Sequence, residues 1–225
     1  MHLPNGSQIF VESERGEAIA FTTISNAEKD VEITFGAAVT GKLAKGDYAI
    51  ITASGWSKVI NKVVRIKEVL TSNNKVKIEG LNTKNVHAFP AGSSAGSLVK
   101  ISTWVELPCV QDLAQEGGEQ QYYTYQCLSD EQEQQLPTYK SAVSLTYTFA
   151  HEFENAIYPI LRAADESGEV KALRMYIPKA GEMRVWSGTV SFNEIPQTSV
   201  NEMETVSVSV ALRGSFASMP ADAGA

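Results

Sequence analysis

Ser141-Ala142-Val143-Ser144-Leu145-Thr146-Tyr147-Thr148-Phe149-Ala150 is the stretch whose reading decides the fold. Val143, Leu145, Tyr147 and Phe149 alternate with Ala142, Ser144, Thr146 and Thr148, the period-2 pattern of a strand with one buried face. One face is apolar and the other carries hydroxyls. The period then changes: Phe153, Ile157, Ile160, Leu161 and Ala164 recur at helical spacing, predicting one helix over residues 154–165 that Gly168 stops. Glu152 and Glu154 are expected at its positive end, solvated. Leu173, Met175 and Ile177 alternate again, residues 178–181 supply a turn, and residues 183–192 return as the second arm of a hairpin. Val206, Val208, Val210 and Leu212 interleave with Ser207, Ser209 and Ala211 in a closing strand.

Working outward, the 225 residues are enough to bury a substantial core, as one large domain or two small ones. A composition of 43% hydrophobic and 20% charged residues is that of an ordinary globular chain. No run approaches the roughly 18 apolar residues of a membrane helix, and residues 1–10 show neither the basic start nor the apolar stretch of a secretion signal. The expectation is a protein that folds where it is made, with no membrane partner. Cys109 and Cys127 could pair across adjacent strands, but without an export signal the expectation is two reduced, partly buried thiols. The formal charge of −7 argues against a protein that grips nucleic acid. Residues 16–104 hold 11 Lys and Arg against 7 Asp and Glu, a surplus of +4, and the rest of the chain holds 8 against 19, or −11. The chain is two electrostatic objects.

Residues 1–6 read as a loose arm and residues 7–12 as a first strand. Short β-rich runs at 18–23, 31–35, 48–52, 59–69, 75–78 and 98–101, separated by turn groups such as Gly46-Asp47, Ser54-Gly55 and Ser72-Asn73-Asn74, predict a small closed β unit inserted after that strand. The acidic part resumes at Val105 with strands at 105–110 and 120–127. Residues 129–139, dense in Glu and Gln, read as a long polar loop that orders against a neighbour. The expected division is 1–14 for the arm and first strand, 15–104 for the insert, 105–217 for the main β domain and 218–225 for a frayed tail.

Catalytic patterns do not emerge. His2, His87 and His151 are too dispersed for a metal site. His151-Glu152-Phe153-Glu154 lacks the second histidine of a zinc protease helix, and the 92–96 cluster lacks the Gly-Lys-Ser/Thr of a phosphate loop and reads as a flexible turn. A carboxylate pair for glycoside hydrolysis is something any acidic β protein offers. The sequence implies no enzyme and no cofactor.

The order of parts resembles the tail tube proteins of long-tailed, non-contractile bacteriophages. The echoes are Ser144-Leu145-Thr146-Tyr147 before the helix, Arg174-Met175-Tyr176-Ile177-Pro178 into the hairpin, Trp186-Ser187-Gly188-Thr189-Val190 on its return and Glu204 to Val210 at the close. Gly46-Asp47-Tyr48 and Gly55-Trp56 resemble an insertion that recurs in phage tail proteins. The resemblance implies a mainly β fold, a β-sandwich or barrel with one flanking helix plus the small inserted barrel. It also implies a virion protein, assembled in the host cytoplasm, that partners itself in stacked hexameric rings. Tape measure, tail terminator and tail tip proteins are its further implied partners, and double-stranded DNA passes through without specific binding. A net negative wall suits a conduit, because it repels phosphates. The lumen candidates are Ser144, Thr146, Thr148, Ser187, Thr189, Ser191, Ser207 and Ser209, with Arg174 an exception to explain. The long loop supplies Gln132, Gln134, Gln135 and Leu136 as inter-ring candidates, and the basic insert is expected outside. The alternative is a receptor- or carbohydrate-binding β-sandwich at a virion tip, which needs Trp56, Trp104 and Trp186 exposed as a platform.

Overall fold

The structure, a computed structural model, describes residues 5–221. His2, most of the expected arm and residues 222–225 of the expected tail lie outside the described residues. The strands in order are β1 (Gln8–Ile24), β2 (Val31–Phe35), β3 (Tyr48–Ser54), β4 (Val63–Leu70), β5 (Lys75–Glu79), β6 (Gly96–Glu106), β7 (Val110–Glu116), β8 (Gln120–Tyr125), β9 (Gln134–Lys140) and β10 (Ser144–Ala150). Helix α1 (Ile157–Ser167) follows, then β11 (Val170–Ile177), β12 (Glu182–Gln197), β13 (Thr205–Leu212) and β14 (Ala217–Pro220). The fold is mainly β with a single helix, as the alternating stretches predict.

The first strand is much longer than residues 7–12. β1 runs unbroken for 17 residues, through a set of bulges at Glu12, Glu14 and Arg15. Its second half pairs with β2, and the path β2-β5-β4-β3-β6 returns to β1, closing a barrel. Inside sit Ile33, Ile51, Val64, Ile66, Ile78 and Leu98, all fully buried. The expected 92–96 turn is pinned, not flexible: the buried Ser94 hydroxyl accepts the Ile24 N–H at 2.8 Å, and Gly55 N–H reaches the Ala95 carbonyl.

The first half of β1 belongs to the other lobe, where the order runs β6-β1-β11-β12-β13-β10-β7. Residues 14 and 15 therefore fall inside β1 and residue 104 inside β6, so strands cross both expected boundaries of the insert. β12 serves two neighbourhoods, pairing with β11 over Glu182 to Thr189 and with β13 from Gly188 onward. The sheet wraps a core of Tyr147, Phe149, Leu173, Trp186, Val208 and Val210, which Ile157, Tyr158, Leu161 and Ala164 of α1 complete. The helix starts three residues later than its apolar spacing implies, with no acidic residue in its first turn, so Glu152 and Glu154 precede it. Asn155 Oδ1 instead accepts the Ile157 N–H, and Gly168 ends the helix in the left-handed conformation.

A third cluster joins the lobes: Tyr48, Val63 and Ile101 from the barrel meet Ala172, Met183, Val185 and Met219. Met219 is on β14, which pairs with β12 from Glu182 to Val185. Residues 218–220 of the expected frayed tail are thus an ordered strand, held because Met219 is buried in the joint and the Pro220 carbonyl accepts from Arg65 at 2.8 Å. Glu12, fully buried, accepts the Ala172 N–H at 2.8 Å and pairs with Arg15, which also donates to the Val170 carbonyl. That pair satisfies backbone groups the bulges of β1 leave open.

Candidate functional site

Three strands of the main sheet carry small hydroxylated residues on their outward face, and the register aligns them into rows. Ser144 lies beside Ala211 and Thr189, Thr146 beside Ser209 and Ser191, and Thr148 beside Ser207 and Asn193. β7 extends each row with Glu116, Ala114 and Asp112 in turn. Thr146 Oγ1 and Ser209 Oγ are 2.9 Å apart, one hydrogen bond across the strand pair. The face holds two carboxylates and no Lys or Arg in these rows. Seven of the eight sequence candidates are brought together here, with Asp112, Glu116 and Asn193 added by register alone.

Ser187 is the exception and is corrected. It shares a face with Thr189 and Ser191, but that face at the β11 end lies under the barrel, beside Met183 and Val185. Ser187 is fully buried and its hydroxyl donates to the Asn61 carbonyl of the barrel. It cements the lobes and lines no open surface. Gly214 belongs to the same joint: its N–H donates to the Ser187 carbonyl, and a Cβ there would overlap the Asn61 carbonyl.

Arg174, the oddity on its strand, also lies at the joint. Its guanidinium stands 4.6 Å from the Phe10 ring, 4.9 Å from Trp104 and 5.4 Å from Tyr48. Burial draws its pKa down, and Tyr48 beside it partly opposes that shift. The three tryptophans form no platform. Trp56 and Trp186 are buried in separate cores, and Trp56 Nε1 donates to the Pro90 carbonyl at 2.8 Å.

Besides the short β14, which pairs only with β12, two strand edges of the main lobe are open among the described residues. β7 pairs only with β10, and β6 beyond Lys100 pairs only with β1. Both edges expose unpaired backbone N–H and C=O groups.

The polar loop is also corrected, because half of it is a strand. β9 pairs with β8 in a separate two-stranded sheet, with Tyr122 opposite Pro137, Tyr123 opposite Leu136 and Thr124 opposite Gln135. Every residue of β9 is exposed, so no buried face left an alternation to read. Gln134, Gln135 and Leu136 are on β9, and Gln132 is in the turn before it. Tyr125 Oη donates to Gln134 Oε1 at 2.7 Å, and Tyr123 stacks on Tyr125. An isolated hairpin is marginal in water, and this one carries Tyr122, Tyr123, Leu128, Leu136 and Tyr139 exposed.

At the other end of β10, where β12 turns into β13, Phe153, Ile195, Val200 and Met203 are exposed. His151 and Tyr158 meet there at 2.7 Å, and Arg162 pairs with Glu194. Phe153, expected on the apolar stripe of the helix, lies before α1 and faces solvent, and sequence reasoning passed over Ile195, Val200 and Met203 because each stands alone in a polar, Glu-containing stretch. Cys109 and Cys127 are free thiols, and both are exposed, not partly buried, since each lies in a turn outside any core. Among the described residues no group of three or more His, Cys, Asp or Glu is placed to hold a metal ion.

In the barrel, Lys67, Lys75, Lys77, Lys84 and Lys100 are ion-paired, leaving Lys29, Lys42, Lys45 and Lys58 as its exposed positive surplus.

No curated protein matches the chain. A protein-family model described as phage tail tube protein does match, over residues 54–221, from the end of β3 through β14. It takes in three strands of the barrel's wall, β4 to β6, with the whole hydroxyl face, both open edges and the hairpin. With most of its length inside that match, the chain belongs to the phage tail tube protein family and is a structural component of the virion tail.

Proposed function

We propose that this subunit closes into hexameric rings with copies of itself, and that the rings stack into the tube through which double-stranded DNA leaves the virion. The observation that carries this is the hydroxyl face: rows of Ser and Thr bounded by Asp112 and Glu116, with no cation to hold a phosphate. Such a surface wets the channel and repels its cargo. The lumen wall is then Ser144, Thr146, Thr148, Thr189, Ser191, Ser207 and Ser209.

Ring closure also gives the open edges of β6 and β7 their missing partners, which a monomer lacks. The hairpin, with Gln132, Gln134, Gln135 and Leu136, reaches the adjacent ring. The basic insert is too bulky for a channel of DNA width and sits on the outside. Before DNA enters, the channel encloses the tape measure protein; terminator and tip proteins cap the ends, and assembly takes place in the host cytoplasm. The buried positions of Trp56 and Trp186 disfavour a glycan-binding platform.

Negative-stain images of purified protein test this reading. Rings or tubes with an open centre are expected, and a sample that stays strictly monomeric at high concentration under every salt condition would overturn it.

A further inference from the structure

A cleft of about 550 Å³ opens beside β14, where the barrel meets the main lobe. One wall is the strand itself with Phe216 before it, and Lys62, Lys67, Leu81 and Asn82 line it from the barrel. β14 pairs only with β12, and the parity of an antiparallel ladder fixes which of its backbone groups leave the sheet edge. Ala221 N–H bonds the Gly181 carbonyl next to β12, so Ala217 and Met219 turn the same way, and Ser218 and Pro220 turn the other. The Pro220 carbonyl accordingly accepts from Arg65 of the barrel. Ser218 N–H and C=O point off the edge, and two residues earlier the backbone of Phe216 has no hydrogen bond among the described residues.

The charges beside this edge are unbalanced. Lys67 pairs with Asp30, Lys84 with Glu28 and Arg65 with Glu79, which occupies every carboxylate of the cleft. Lys62 and Lys29 line it without a carboxylate partner among the described residues. Lys62 is half-buried, and desolvation draws its pKa down, so an anion beside it would replace hydration the fold has removed. Phe216 stacks on Trp186 at 5.9 Å and is still 51% exposed, an apolar contact at the mouth.

We propose that this cleft takes an extended acidic segment of a partner protein, which adds a strand to the free edge of β14 and sets a carboxylate beside Lys62. Strand addition supplies main-chain hydrogen bonds to Ser218 and Phe216, and the two lysines select for negative charge. An acidic saccharide could use Lys62 and the Phe216 ring, but it would leave the outward Ser218 N–H and C=O without their alternating partners. The partner is a separate protein, so the site does not depend on ring formation.

The test uses the full chain and a fluorescein-labelled peptide, Glu-Val-Thr-Val-Glu, read by fluorescence anisotropy at about 50 and 500 mM NaCl. The peptide should bind saturably and weaken severalfold at the higher salt. Lys62→Gln should bind it about tenfold more weakly, the scale of one hydrogen bond to a charged group, with an unchanged thermal melt. Only alternate amides of an added strand face the edge, so N-methylation of the two valines and N-methylation of the threonine should differ, one abolishing binding and the other sparing it. Equal binding by the two N-methylated peptides, no weakening with salt, or Lys62→Gln binding as tightly as the unaltered chain would overturn the inference. So would no saturation by the peptide up to about 1 mM, or tetragalacturonate binding where the peptide does not. A chain that forms no rings would overturn the tube reading and leave this result as it stands.

Discussion

At Arg174 one guanidinium serves three aromatic rings from β1, β3 and β6, and so binds the main lobe to the barrel. Replacing it by Met keeps the aliphatic stem and removes the charge; urea titration should show a loss of about 1–2 kcal/mol, the scale of a partly desolvated cation–π contact. Tyr147 is the reverse case. Its hydroxyl is buried without a hydrogen bond of normal geometry, and burial pushes its pKa far up. Tyr147→Phe deletes an unsatisfied polar atom while keeping the ring, so a thermal melt should show unchanged or higher stability, by up to about 1 kcal/mol. Both residues are conspicuous in the sequence, Arg174 as a charge on a hydroxyl-bearing face and Tyr147 as a polar tip on an apolar one. What surrounds them is not, because Phe10, Tyr48 and Trp104 come from elements far apart in the chain. Ser187 was misplaced for the same reason: alternation gives its face, and only the docked barrel decides whether that face is wet.

At the level of elements, the strands with one dry face were legible and those without were not. β10, β11 and β13 follow their alternation closely, and α1 its apolar stripe. β9 has no dry face, and β14 is held by a single buried residue, Met219, so neither carries a pattern. β14 also has a pH dependence. Arg184 beside Glu182, with Ser218 donating to the same carboxylate, holds that carboxyl below its ordinary value of 4.5. A lowered folded pKa gives stability that is present above the unfolded value and lost as pH falls through the folded one. The protection of the β14 amides, measured against the intrinsic exchange rate at each pH, should therefore fall on acidification from about pH 5 to pH 3. Glu182→Gln should lower that protection at neutral pH and lose most of its pH dependence.

For the whole molecule, the charge split between the lobes was visible in the sequence, and the way they are joined was not. The barrel closes as a small unit inserted in a longer β chain would, but β1 and β6 run through both lobes without a linker. Excising residues 16–104 would cut both strands and strip cover from Ala172, Met183, Val185 and Met219. The shortened chain should bind a hydrophobic dye and lack a cooperative thermal transition, whereas an excisable decoration would leave both unchanged. The pairing of β1 with β6, from Phe10 opposite Glu106 to Phe21 opposite Gly96, is the longest antiparallel seam in the protein. A pull between barrel and main lobe along that seam would load its hydrogen bonds side by side, in shear, instead of peeling them one at a time. In the proposed tube, bending would therefore carry the barrel along with the main lobe as one rigid piece.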